Sequence, residues 1–258
     1  MNRGEVRHYK LSIAYDGTNY CGWQIQLGKP TVQGLLERAM ARLVKVRVPI
    51  TGSGRTDSGV HALGQVASLA THTWQAPPEK LAAALNSKLP PDIRVLESVQ
   101  MPGDFHAIRD CTGKRYRYQI QVGGIRDPFE HRYRWYHAAP LDLEPMQWAA
   151  AHLRGTHDFA SFQAAGSRRK TTVRTVRELT VQQEQGRGGS VGIRIEIEAD
   201  GFLYNMVRNI VGSLVEVGRG KESPDWIAAV RDAQDRNLSG PTAPPHGLFL
   251  MRAEYPSA

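Results

Sequence analysis

The order of apolar and polar positions divides the chain into a sequence of short elements. Lys10 to Tyr15 alternates polar and apolar residues, the period of a half-buried strand, and leads to the turn Asp16-Gly17. After Pro30, Thr31 can cap a helix that carries Val32, Leu35, Leu36, Ala39, Met40 and Leu43 on one face. Val46 to Ile50 reads as a second strand, running into a glycine-rich bend, and Gln65 to Ala70 as a third. Pro78 opens a helix containing Leu81, Ala84 and Leu85, and Ile93 to Val99 makes a fourth strand. The order β-α-β-β-α-β is that of the split-βαβ, or ferredoxin-like, unit.

The second half repeats this order with insertions. Strands are expected at Arg115 to Val122, Val173 to Val181, Val191 to Ile197 and Gly247 to Ala253. Helices are expected at Pro145 to Leu153, at Phe202 to Val217, and after the cap Ser223-Pro224. The expected fold is therefore α+β. Two ferredoxin-like halves, residues 1–103 and 104–258, would form a long antiparallel sheet with helices on one face and a central cleft. The stretches 123–134 and 163–172 read as long basic loops, suited to gripping a ligand.

Charge sharpens this picture. Of a net charge of +8, residues 1–103 carry +5, residues 104–177 carry +6, and residues 178–258 carry −3. Basic and aromatic residues mix in 114–118 and 132–136, and Arg168, Arg169 and Lys170 form a tight cluster. Cations beside aromatic faces suit RNA, where splayed bases stack and phosphates need counter-charge, although an outward basic strand face has the same composition. No apolar run approaches a membrane span, and the N-terminus lacks the apolar core of a signal peptide. Cys21 and Cys111 form no CxxC, and the nine histidines show no metal-ligand spacing. The expectation is a cytoplasmic protein with no metal.

The candidate chemistry is concentrated in Thr51 to Ala62. There the single carboxylate Asp57 lies in a glycine-rich bend, two residues after Arg55. A nearby cation favours the ionised acid, as a nucleophile or base requires. Ordinary surface turns share the same composition.

Several strings resemble one family in order. They are Tyr15-Asp16-Gly17 with residues 20–26 and 31–33, residues 54–62 with Gly64-Gln65-Val66, residues 104–107, residues 115–118, Met206 to Gly212, and Gly247 to Leu250. Together they resemble the bacterial tRNA pseudouridine synthase A (TruA) family over nearly the whole chain. Ser58 departs from the alanine more usual there. The resemblance implies isomerisation of uridine to pseudouridine at positions 38 to 40 of the tRNA anticodon stem-loop, by a homodimer without a cofactor. It implies that Asp57 is the essential acid and that Arg55 helps hold the flipped nucleotide. Tyr116 would stack on the base, Arg208 would pair with Asp57, and Leu248 would wall the pocket. Arg115, Arg168, Arg169 and Lys170 are the candidate RNA contacts. Read as residue types alone, Tyr116 and Leu248 also fit plain core packing, and Arg208 a side chain snorkelling to the surface. Attack at C1′, attack at C6, and removal of a sugar proton all remain open, since each needs an ionised acid beside the base.

Two other classes compete. An RNA-binding module without catalysis fits the ferredoxin-like order, but 114–120 lacks the glycines of the RRM signature. A glycosidase-like hydrolase generally needs two facing carboxylates, where the matching strings supply one.

Overall fold

A computed structural model describes residues 5–164 and 171–256. These contain ten strands and five helices, an α+β protein, in two compact units: 1–112 with 250–258, and 113–249.

In the first unit, β1 (Arg7–Tyr15), α1 (Val32–Val44), β2 (Thr51–Gly52), β3 (His61–Thr71), α2 (Lys80–Asn86) and β4 (Ile93–Met101) keep the expected order. β1 is central, with β4 and β3 antiparallel on its two sides, and β2 adds a short rung to β3. Alternate residues Tyr9, Leu11, Ile13 and Tyr15 of β1 are buried, as are Leu36 and Met40 of α1 and Leu81 and Leu85 of α2. The β1–β3 register slips between Ile13 and Tyr15. Such an irregularity re-aims the chain at a strand end, and here it falls directly before the Asp16-Gly17 turn.

The expected strand at Val46 to Ile50 does not form. Val48 and Ile50 are buried while their neighbours are exposed, which preserves the alternation. The backbone at Ile50, however, is taken by side chains of α1. Its N–H donates to Glu37 Oε1 (3.2 Å), and its carbonyl accepts from Gln33 Nε2 (2.9 Å). A peptide satisfied in this way needs no partner strand. Thr31 precedes α1 in extended conformation, but its side chain makes no capping bond.

The second unit contains β5 (Gly113–Val122), β6 (Trp135–His137), α3 (Leu143–Ala151), β7 (Gly155–Asp158), β8 (Val173–Gln185), β9 (Val191–Ala199), α4 (Met206–Gly218) and α5 (Trp226–Ala233). Its strands run β5-β9-β8-β7, all antiparallel. β6 is an unexpected element and pairs with β5 in parallel, Ile120 opposite Trp135, so the sheet is mixed. The last strand is β10 (Leu248–Glu254); its residues 250–254 belong to the first unit, where the Met251 carbonyl packs against Gly64 of β3. Helix α4 starts at Met206, four residues later than the pattern predicts, because Asn205 adopts a left-handed conformation with φ 59°. Almost every residue of α4 is buried, Arg208 and Glu216 being half-buried exceptions. No helix of the described residues is long and apolar enough to cross a membrane.

Candidate active site

Asp57 sits in the loop between β2 and β3, and the first unit pins that loop residue by residue. On entry, Ser53 N–H donates to the Val66 carbonyl (2.7 Å), and Ser53 Oγ donates to Gln65 Oε1 (2.7 Å). Gln65, fully buried, returns its Nε2 to the Gly54 carbonyl (3.0 Å). Immediately before the acid, the Thr56 carbonyl accepts from Trp23 N–H (3.0 Å), and Thr56 Oγ1 shares a hydrogen bond with Tyr15 Oη (2.7 Å). Immediately after it, Ser58 Oγ donates to the Tyr20 carbonyl (3.2 Å), and the Asp57 carbonyl accepts from Val60 N–H (3.1 Å). Asp57 itself is half-buried and Arg55 is exposed, so the loop is anchored by its neighbours while these two remain accessible.

One close approach allows this. Gly22 has φ +82°, and a Cβ there would lie 2.5 Å from the Thr56 carbonyl oxygen. Only glycine lets the 20–24 segment lie against the acid loop. Burial pushes the Tyr15 phenol up to about 12, its bond to Thr56 pulling weakly the other way. Burial, together with Asp92, raises the Tyr20 phenol as well. The Tyr15 hydroxyl, bonded to Thr56 next to the acid, therefore stays neutral. His61 is buried and its Nδ1 accepts from Gly17 N–H (3.0 Å). Asp16 Oδ1 lies 3.1 Å from the same nitrogen, so a proton on Nδ1 would exchange the Gly17 bond for one to Asp16.

The second unit holds Tyr116, Arg208 and Leu248. Tyr116, on β5 opposite Ile197, is buried and meets Phe202 edge-on at 4.9 Å. Arg208 lies in the first turn of α4. Its Nε donates to the Ala243 carbonyl (2.7 Å) and its Nη1 to Asn205 Oδ1 (3.1 Å). Leu248 is buried at the start of β10.

Arg115 is bound up with acids. Its guanidinium bridges to Glu196 (2.9 Å), Glu198 (2.9 Å) and, closer still, Glu178. Burial alone would lower its pKa, but the carboxylates of Glu198, Glu178 and Glu196 outweigh that and raise it. Arg168, Arg169 and Lys170 lie outside the described residues. Among the described residues no cluster of His, Cys, Asp and Glu could hold a metal ion.

The chain matches the family model described as tRNA pseudouridine synthase over residues 11–108 and 149–256. This chain belongs to the tRNA pseudouridine synthase family. Membership makes it an isomerase acting on tRNA. Among its relatives is the tRNA pseudouridine synthase A of Moorella thermoacetica, 46% identical over 95% of this chain and 98% of that protein. The protein of that name from Thermoanaerobacter sp. (strain X514) is 44% identical over 97% of this chain and all of its own length. The one from Myxococcus xanthus is 43% identical over 95% and 91%. Asp57, Arg55, Arg208 and Leu248 fall within the segments matched to the synthase family, whereas Arg115 and Tyr116 fall between them. Pattern reading missed the residues that hold the synthase loop, Tyr15, Tyr20, Thr56 and Gln65. All four stand in strings that resemble the family, yet only the fold shows that they converge on the loop around Asp57.

Proposed function

We propose that this synthase converts uridine to pseudouridine at positions 38 to 40 of the tRNA anticodon stem-loop, with Asp57 as the single essential carboxylate. The observation that supports this most is the clamp around Asp57: the peptide groups on both sides are fixed, while the carboxylate stands half-buried in a loop also carrying the exposed Arg55. A fixed acid is what covalent attack or proton removal at a flipped nucleotide requires. Arg55 holds the extruded conformation, Tyr116 stacks on the base, Leu248 walls it, and Arg208 supports the reaction. The basic loops at 123–134 and 163–172 grip phosphates, and the enzyme works as a cytoplasmic homodimer without a cofactor.

The test is Asp57→Asn and Asp57→Ala on unmodified tRNA transcripts, with pseudouridine mapped by chemical labelling. Turnover is expected to fall at least about 10³-fold, with melting temperature and tRNA affinity nearly unchanged. Activity retained in either variant overturns the role of Asp57. Product formed only outside positions 38 to 40 overturns the substrate position.

A further inference from the structure

Helix α4 is wrapped by the segment 236–243, and a set of buried polar side chains holds the two in fixed register. Asn209 is completely buried. Its Nδ2 donates to the Phe162 carbonyl (2.8 Å), while its Oδ1 accepts from Thr242 Oγ1 (2.7 Å) and from Arg236 Nη2 (3.2 Å). Arg236 Nη2 also reaches Thr242 Oγ1 (3.1 Å). Its Nη1 donates to Ser239 Oγ (2.6 Å) and to the carbonyls of Ser239 (3.3 Å) and Gly240 (3.1 Å), so the guanidinium draws the whole segment around itself through neutral acceptors. One turn along α4, Ser213 Oγ accepts from Gly240 N–H (2.9 Å). Helix and segment lie so close that a Cβ at Gly212 would fall 1.6 Å from the Pro241 carbonyl oxygen.

The residue next to Thr242 is Ala243. Its N–H donates to the Arg208 carbonyl (3.0 Å), and its carbonyl accepts from Arg208 Nε (2.7 Å). The following residue is fixed too, since Tyr118 Oη donates to the Pro244 carbonyl (2.7 Å). The residues on both sides of the Ala243 carbonyl are thus held, and with Asn205 Oδ1 that carbonyl orients the Arg208 guanidinium.

We infer that Thr242, with Asn209 and Arg236, is a positioning group for Arg208, acting through the Ala243 carbonyl. This rests on the catalytic part assigned to Arg208 in the proposed function. A guanidinium acts through a planar fork, so a small rotation misdirects its bonds without removing its charge. The expected signature is therefore a loss in kcat with substrate binding intact.

The experiment is a kinetic cycle of Thr242→Val, Arg208→Lys and the double variant, with wild type and Thr242→Ser alongside, on a tRNA transcript. Thr242→Val keeps the side-chain shape but removes the hydroxyl, and is expected to lower kcat roughly tenfold with KM and tRNA affinity within about twofold. Thr242→Ser is expected to stay near wild type. In the Arg208→Lys background, Thr242→Val is expected to change kcat by less than about twofold, because the group it positions is already gone. Equal losses in both backgrounds, or unchanged kcat in Thr242→Val, overturn the inference while the activity stands. Full turnover in Arg208→Lys overturns the role of Arg208, and the inference with it. A wild-type chain that makes no pseudouridine sinks the activity itself. If Thr242→Val does not fold, Arg236→Lys takes its place in the same cycle with the same expected outcomes.

Discussion

Replacing Gly22 with alanine tests whether the clamp around Asp57 is mechanical in origin. The new Cβ would meet the Thr56 carbonyl oxygen at 2.5 Å and the Asp57 carbonyl carbon at 3.1 Å. Ordinary carbon–oxygen contact begins near about 3.3 Å, so the acid loop must retreat by roughly 0.8 Å. Two costs follow for stability. A non-glycine residue at φ +82° costs about 1 kcal/mol, and the Trp23 N–H to Thr56 carbonyl bond, stretched by the retreat, contributes about 1 kcal/mol more. For a chain of this size about 2 kcal/mol lowers the melting temperature by roughly 4–8 °C. The effect on rate is larger, since misplacing a reacting group by about 1 Å costs on the order of 10²-fold. Gly22→Ala is therefore expected to melt a few degrees lower but to make pseudouridine some ten to a hundred times more slowly, with tRNA affinity retained. The assay pairs a thermal melt with a time course of chemical labelling on a tRNA transcript. Wild-type turnover in a variant that melts normally would show that the contact at Gly22 does not hold Asp57 in place.

Other expectations follow from the same contacts. Gly212→Ala should destabilise the fold by several kcal/mol, read as loss of soluble protein or a melting temperature lowered by about 10 °C or more, because its Cβ meets a backbone oxygen that α4 itself holds in place. At Glu196, burial works to raise the carboxyl pKa, but the bonds from Arg117 and Arg115 outweigh it and hold the group below the usual carboxylate range. A depressed pKa means that the folded state binds fewer protons, so this stabilisation is present at neutral pH and is lost as pH falls below about 5. Urea melts of Glu196→Gln at pH 7 and pH 4 should accordingly show a smaller difference than wild type, and equal differences would refute the pairing. Binding to tRNA should weaken steeply with salt, and a flat response between low and physiological ionic strength would count against the basic loops as grips.

Most of the fold was legible because its signals are local. The alternation in β1 and the helical spacing in α1 are set by which face meets the core, and burial follows them closely. The failures have separate causes. Val46 to Ile50 has the pattern of a strand, but Glu37 and Gln33, a turn or more back along α1, occupy the peptide groups at Ile50. The apolar spacing from Phe202 suggests a helix, yet Asn205 breaks it with a left-handed residue and delays the start to Met206. The short strands β6 and β7 carry no periodic signal, having three and four residues. For the site, glycine and aspartate types marked the loop at 52–59. The groups that hold it lie far off in sequence: Tyr15 is 41 residues from Thr56, and the Tyr20 carbonyl is 38 from Ser58. Spacing cannot report such contacts.

The way these residues are held also bears on the chemistry. In the role proposed for Asp57 the acid must stay ionised, and a second negative charge nearby would disturb it. The side chains that fix its loop, Tyr15, Thr56, Ser53, Gln65 and Ser58, are all neutral, and burial keeps the Tyr15 phenol so up to about pH 12. Arg208 donates to two neutral acceptors, the Ala243 carbonyl and the Asn205 amide oxygen. Arg115 shows the opposite arrangement, a cation enclosed by three carboxylates on the strands beside it. That pairing ties β5 to β9 and β8. Arginines at 115 and 208 are equivalent as sequence letters. Their surroundings differ: carboxylates of the neighbouring strands bind the first, while the second donates to a backbone carbonyl and an amide oxygen.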